Sequence, residues 1–262
     1  MKSNKLLLLV VLIVVLVGSQ VMAGELTGEE IIEKTDELSV DDLNADLEMK
    51  IIKSGRERVR KLTMVSHKAD DGVEKSLIRF LSPSDVRGTG FLSIDNPEGV
   101  DEQYLYLPAL GKPRRISSEE RGGSFMGSDL TYEDLSPSKE DYRHKLIGTE
   151  IIDEDEVYVV ESTPVTEEIQ DDVGFSKKIS YIRKDIFVLI KAEYLDDQGN
   201  VSKKMVVSNF EEITDNLWYG TYMVMEDLKK ESKTILEYDN LEYDTDISDD
   251  YFSIRQLTRP VR

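Results

Sequence analysis

His67 and His144 are the two imidazoles available for acid–base chemistry, and they stand in unrelated contexts: one closes a strand-like run, the other opens one. No HExxH, GxSxG, Walker loop or CxxC occurs, so zinc peptidase, hydrolase, nucleoside-triphosphate and dithiol chemistry lack their usual carriers. Asp129, Glu133 and Asp134 fall within six residues, and acidic oxygens of this kind can hold Ca²⁺. Their spacing lacks the alternation of a calcium loop, and a chain with 53 acidic residues generates such clusters by chance. Carboxylate pairs for glycoside hydrolysis are abundant in principle, but nothing marks one pair above the rest. Gly122-Gly123 follows no strand–helix unit, which removes the usual setting of a phosphate cradle. The expectation is a protein with no catalytic residues, no metal and no cofactor.

The elements that would position these groups are mostly strands. Thr27-Gly28-Glu29-Glu30 reads as a capping box, and Ile31, Ile32 and Leu38 continue it as a short amphipathic helix over 28–38. From Asp42 the period becomes two: Leu43, Ala45, Leu47, Met49 and Ile51 share one face, with polar residues between them. Further strands are expected at 57–67, 73–81, 89–95, 102–107, 112–118, 142–150, 155–163, 176–184, 186–195, 201–212, 217–226 and 233–242. Turn chemistry separates them, as in Asp70-Asp71-Gly72 and Asp196-Asp197-Gln198-Gly199-Asn200. Short capped turns are expected at Ser82-Pro83, Ser136-Pro137, Tyr132–Leu135 and Ser248–Phe252. No repeat or long linker interrupts the pattern, so residues 24–262 read as a single domain.

Ahead of that domain, Lys2 and Lys5 precede an unbroken apolar run over 6–17, and Val21 and Ala23 supply the small residues of a cleavage site. The run is shorter than the about 20 residues of a membrane span. Residues 1–23 are therefore expected to be a cleavable signal peptide, cut after Ala23, leaving a soluble periplasmic protein that is not transmembrane once processed. The chain has no cysteine, so it carries neither a lipid anchor at one nor a disulfide. Its net charge is −20, and loss of Lys2 and Lys5 with the signal takes it to −22. Such a balance excludes nucleic acid as a partner, since phosphate neutralisation needs clustered Lys and Arg.

About a dozen strands with few helices leave more apolar sheet than the helices can cover. Several strands are apolar on both phases, as in Leu217-Trp218-Tyr219 and Phe187-Val188-Leu189-Ile190. The surplus could close as a barrel, pack as a sandwich or line a cavity for an apolar ligand. Met49, Met64, Met205, Met223 and Met225 lie in these strands, where methionine adapts to irregular apolar partners.

The most distinctive stretch runs from Phe80 to Leu135: Phe80-Leu81-Ser82-Pro83-Ser84-Asp85-Val86-Arg87-Gly88-Thr89-Gly90-Phe91-Leu92, then Gln103-Tyr104-Leu105-Tyr106-Leu107-Pro108, then Lys112-Pro113-Arg114-Arg115-Ile116, then Ser124-Phe125-Met126-Gly127-Ser128-Asp129-Leu130. With the closing Asp250-Tyr251-Phe252, this order resembles the outer-membrane lipoprotein-sorting group of the LolA/LolB-like superfamily. The resemblance implies a mainly β (α+β) fold: a strongly curved antiparallel sheet, an incomplete barrel wrapped around one or a few short helices. It also implies a non-enzymatic carrier or chaperone that holds lipoprotein acyl chains or phospholipid in its concave face, with an inner-membrane transporter as a partner. Leu47, Met49, Met64, Phe91, Tyr106 and Met223 are the expected lining. Arg114 and Arg115 are expected to pair with Asp129, Glu133 or Asp134 and pin the loop beside the sheet, or else to grip a lipid phosphate. The alternative is an accessory of a membrane exporter that has no cargo cavity of its own. Strong acidity favours docking to a membrane protein over adsorption on anionic lipid.

Overall fold

A computed structural model describes residues 26–261 except 39–40, 70, 98–100, 215–216, 244 and 246. The expected signal peptide lies outside the described residues. The described residues form one antiparallel sheet of thirteen strands. The first six are β1 (Asp42–Lys53), β2 (Arg56–Lys68), β3 (Glu74–Ser82), β4 (Gly90–Asp95), β5 (Glu102–Tyr106) and β6 (Pro113–Arg115). The rest are β7 (Tyr142–Ile152), β8 (Asp155–Pro164), β9 (Lys177–Arg183), β10 (Leu189–Leu195), β11 (Val201–Thr214), β12 (Leu217–Asp227) and β13 (Ser232–Tyr243).

Their order decides the architecture. It runs β6-β5-β4-β3-β2-β1-β13-β12-β11-β10-β9-β8-β7. Two meanders meet where β1 pairs with β13, and the strands consecutive in sequence, β6 and β7, are the two outer edges. The connection over 116–141 must therefore travel from one edge to the other across a face of the sheet. The sheet is strongly curved and not closed into a barrel, as the resemblance implied.

Strand periodicity explains which face is buried. On β1, Leu43, Ala45, Leu47, Met49 and Ile51 are buried while Asp46 is exposed between them. Successive side chains point to opposite faces, and the register carries the buried phase to its neighbours: Leu47 pairs with Leu62 and Met49 with Leu236. The inner phase forms the largest apolar cluster, which includes Phe80, Phe91, Leu105 and Met225. The outer phase of β2–β5 forms a second cluster: Val65, Leu77 and Leu92 beneath Phe252 and Leu257. Leu257 belongs to a short C-terminal helix (Ile254–Leu257), so the chain's end straps the convex face.

Among the described residues, four short helices accompany the sheet: α1 (Gly28–Glu37), α2 (Tyr132–Leu135), α3 (Glu167–Val173) and α4 (Ile254–Leu257). The capping box of α1 is present: Thr27 accepts from the Glu30 amide, and Glu30 accepts from the Thr27 amide at 2.7 Å. α3 and α4 were not expected from the sequence. Three expected turns differ. Ser82-Pro83 is a cis peptide leading into a turn rather than a capped helix. After Ser136-Pro137, the helical turn begins at Lys139, capped by Ser138 without a side-chain hydrogen bond. Near the end, Asp249–Tyr251 form a 3-10 turn without a side-chain cap from Ser248. The edge strand over 112–118 shortens to Pro113–Arg115 because Ser117 turns aside to cap a 3-10 turn at Ser118–Glu120.

Candidate functional site

The connection over 116–141 fills one half of the concave face. Phe125, fully buried, meets Phe80 at 5.8 Å, Phe91 at 5.4 Å and Tyr132 at 5.8 Å between ring centres. Asp129 reaches across to β13, where its carboxylate accepts from Ser232 Oγ at 2.5 Å and from Thr234 Oγ1 at 2.8 Å. Lys203 Nζ donates to the Asp129 carbonyl at 3.2 Å, and Arg60 Nη1 to the Met126 carbonyl at 2.6 Å. Strands from both meanders thus hold the plug in place. Gly122 permits its far end to seat on α3: its amide donates to the Asp172 carbonyl at 2.8 Å, and a Cβ there would stand 2.5 Å from that oxygen.

An ion-pair network closes the plug. Arg121 meets Glu133 at 2.5 Å and Asp141 at 2.5 Å, and the Tyr142 hydroxyl donates to Glu133 at 2.5 Å. Burial pushes the Glu133 carboxyl up, against the pull of Arg121. Burial also disfavours the Arg121 charge, but Glu133 and Asp141 outweigh it and hold the guanidinium more firmly protonated than usual.

The expected site residues separate into groups. Leu47, Met49 and Phe91 face the concave side and are buried beneath the plug and its neighbours. Met64 and Met223 face the same side, half-buried, in company with Val207, Tyr238 and Leu241. Tyr106 stands apart: Leu105 takes the concave phase, so Tyr106 lies on the convex face in the cluster of Phe252 and Leu257. None of the six lines either of the cavities described below. Arg114 pairs with Glu120 at 2.7 Å, and Arg115 donates to the Asp101 carbonyl at 3.0 Å. The expected pairing of Arg114 and Arg115 with Asp129, Glu133 or Asp134 therefore gives way to a different set. Arg121 takes Glu133, Asp129 takes the β13 hydroxyls, and Asp134 caps α2 through Thr131 and accepts from Tyr194 at 2.9 Å.

The other half of the concave face keeps a void. A cavity of about 220 Å³ lies between α1 and β7–β11. Ile32, Tyr142, Phe175, Ile182, Leu189, Tyr194 and Met205 form its apolar walls; Ser162, Ser180 and His144 lie among them, and Asp36, Glu133, Asp134, Lys139 and Lys178 also line it. α1 is its roof, and both ends of the helix are fixed. At the start, Gly28 sits directly on β7, where a Cβ would stand 2.6 Å from the Leu146 nitrogen. Glu29 accepts from the His144 amide at 2.9 Å, and Ile31 is wholly buried against Val160 and Ile182. At its end, Lys139 bridges Asp36 at 3.3 Å and Glu74 at 3.0 Å, and Lys68 Nζ donates to the Asp36 carbonyl at 3.2 Å. Burial pushes the Asp36 carboxyl up, opposed by Lys139.

A second, polar groove of about 850 Å³ opens on the far side of the segment 136–139. Glu74, Asp95, Asp101, Gln103, Arg115, Ile116 and Arg121 line it. Pro137, Ser138 and Lys139 line both spaces, so a single stretch of chain is the wall between them.

The histidines do different things. His67 lies on the convex side, with Nδ1 at 2.5 Å from Asp42 and its ring stacked 6.0 Å from Phe252. His144 Nδ1 is 2.8 Å from Ser162 Oγ inside the cavity. Burial holds the His144 pKa below its ordinary value, with Glu29 opposing, which weakens the ring as a base toward Ser162. Among the described residues no group of three or more His, Asp or Glu is placed to hold a metal ion. No helix among them is long and apolar enough to cross a membrane.

The fold has relatives. A family model described as an uncharacterized protein matches residues 72–259, well over half of the chain. A domain from Vibrio parahaemolyticus assigned to outer membrane lipoprotein sorting superposes with a TM-score of 0.82 at 30% identity, covering 88% of this chain and 98% of that one. A DUF1329 family protein from Desulfovibrio piger superposes at 0.79 with 32% identity, covering 88% and 97%. A LolA superfamily protein from Nitrosomonas europaea shares the fold at 0.67 and 22% identity, covering 87% and 98%. No curated protein sequence matches the chain. The chain belongs to the DUF1329 family, and it shares the fold of the LolA superfamily protein.

Proposed function

We propose that this protein is an exported, non-enzymatic carrier that shelters acyl chains of lipoproteins or phospholipid on the concave face of its sheet. The observation that supports this most directly is the apolar cavity roofed by α1. A packed β protein ordinarily fills such a face, whereas here Ile182, Leu189, Tyr194 and Met205 line empty space. Each methylene moved from water into such a space gains about 0.8 kcal/mol.

The volume adds a condition. Ligand sites for small molecules commonly span about 300–1,000 Å³, and this cavity holds about 220 Å³. An acyl chain enters when α1 or the segment 136–139 gives way. The clasp of Lys139 on Asp36 and Glu74 is the contact that must open, and a half-exposed ion pair is a low barrier. Delivery takes place in the periplasm, after removal of the signal peptide, and an inner-membrane transporter hands over the cargo.

Native mass spectrometry of protein purified from its own cells tests the reading. The expected result is an acyl lipid or lipopeptide that co-purifies or binds on addition, and that no longer binds to Leu189→Trp, which fills the cavity. If neither occurs, the carrier reading fails and the accessory role without cargo takes its place.

A further inference from the structure

Gln103, which lines the polar groove, has a buried acceptor with no partner just behind the groove's wall. Gln103 on β5 is only 7% exposed, and its Oε1 has no hydrogen-bond partner among the described residues. Its orientation is fixed by the other end of the amide, because Nε2 donates to the Ser136 carbonyl at 3.2 Å. Asp95 faces the groove from the neighbouring strand: Ser93 pairs with Gln103, and Asp95 lies two residues further along the same face. Ser136 ties the two together, since its hydroxyl donates to Asp95 Oδ1 while its carbonyl receives Gln103.

The cations around the groove are already committed. Lys139 is held by Asp36 and Glu74, and Arg121 by Glu133 and Asp141. Arg115 donates one nitrogen to the Asp101 carbonyl and stands exposed at the rim. The inner wall is thus left with acceptors, an amide oxygen beside a carboxylate, and burying an acceptor without a donor is unfavourable. A primary ammonium has three donors and a positive charge, and it satisfies both groups at once. A quaternary ammonium has no donor and leaves Gln103 unsatisfied. An anion meets the carboxylate.

We propose that this groove binds a primary ammonium group, carried on an aminophospholipid headgroup or on a free phosphorylated amine, with Gln103 Oε1 and Asp95 as its acceptors and Arg115 facing the accompanying phosphate. The lipid form rests on the carrier reading, with the acyl chain reaching past the segment 136–139 into the apolar cavity. The protonation of Asp95 agrees with a cationic ligand. Burial pushes its carboxyl up to about 7, Ser136 opposing, with Asp101 and Glu74 adding to the rise and Lys139 reducing it. A bound ammonium draws the proton off, so binding strengthens as pH rises from about 6 to about 8.

The test is calorimetric titration of the whole chain with short-chain phosphatidylethanolamine, phosphatidylcholine and phosphatidylglycerol carrying the same acyl groups, and with phosphoethanolamine alone. Asp95→Asn and Gln103→Leu are titrated alongside, each checked for folding by circular dichroism and thermal melting. The wild type is expected to prefer the ethanolamine lipid by about tenfold, and both folded variants to lose that preference. Equal binding of the ethanolamine and choline lipids overturns the inference and leaves the carrier reading standing. A preference that survives in both variants overturns it as well. Binding of phosphoethanolamine alone, sensitive to both variants, supports the site with a soluble source and counts against the lipid form. If none of the four ligands binds, the inference falls, and the carrier reading then stands or falls on lipopeptide binding.

Discussion

Two halves of one concave face are finished in opposite ways. Beneath the 116–135 plug, Phe125 has three aromatic neighbours, and Asp129 answers two hydroxyls of β13. Beneath α1, the same phase of the same sheet faces a void, and the roof is joined to the rest at its two ends. The chain can fill this surface when it needs to. Under the proposed function the unfilled half receives the cargo, and the plug is the frame that keeps it open.

The sharpest way to break the contrast is to remove the centre of the plug. Phe125→Ala is expected to cost about 3–5 kcal/mol in denaturant unfolding, whereas Ile32→Ala in the roof costs far less because Ile32 borders a void and is only half-buried. Equal losses would erase the distinction. Arg121→Ala comes next. It leaves Glu133, 4% exposed, without its cation, and is expected to cost about 3 kcal/mol.

Asp95 gives a pH signature on the polar side. Its folded pKa is raised to about 7, above the unfolded carboxylate value of about 3.9. The folded state therefore holds a proton that the unfolded state has lost, and stability falls as pH rises through that window. Asp95→Asn removes this slope: it melts higher than the wild type at neutral pH and above, with the advantage gone near pH 4. Parallel melting curves would place Asp95 in a more solvated setting. The smallest effect belongs to Lys139→Ala. Its pairs are half-exposed and contribute at most about 1 kcal/mol, yet lipid uptake measured by stopped flow should quicken because the clasp is gone.

The strands were legible because their signal is local. The alternation of β1 names its buried residues directly, and twelve further runs fall within a few residues of the observed strands. The plug was not legible. Phe125 and Leu130 sit among Gly and Ser without periodicity, and Asp129 finds its partner Ser232 103 residues further along. Arg114 and Arg115 looked like its natural partners because they are near in sequence, but the plug carries Asp129 across the sheet, away from them. Tyr106 lies on the convex side, not the expected concave one, for a simpler reason: Tyr104-Leu105-Tyr106 is apolar on both phases, so periodicity cannot say which phase faces the core. The cavity itself follows from α1 landing on β7 through Gly28, a contact between segments more than a hundred residues apart.

On the proposed function, the surface under α1 receives an acyl chain. The chain has no cysteine, so a single introduced thiol reports one place alone. Leu189→Cys puts it in the cavity wall, and Ile190→Cys puts it one residue on, facing the convex side. Maleimide labelling of both, with and without a short-chain phospholipid, is the direct measurement. Lipid is expected to slow labelling at position 189 and leave position 190 unchanged; equal rates at 189 with and without lipid, under conditions where lipid is bound, would rule out an acyl site under α1.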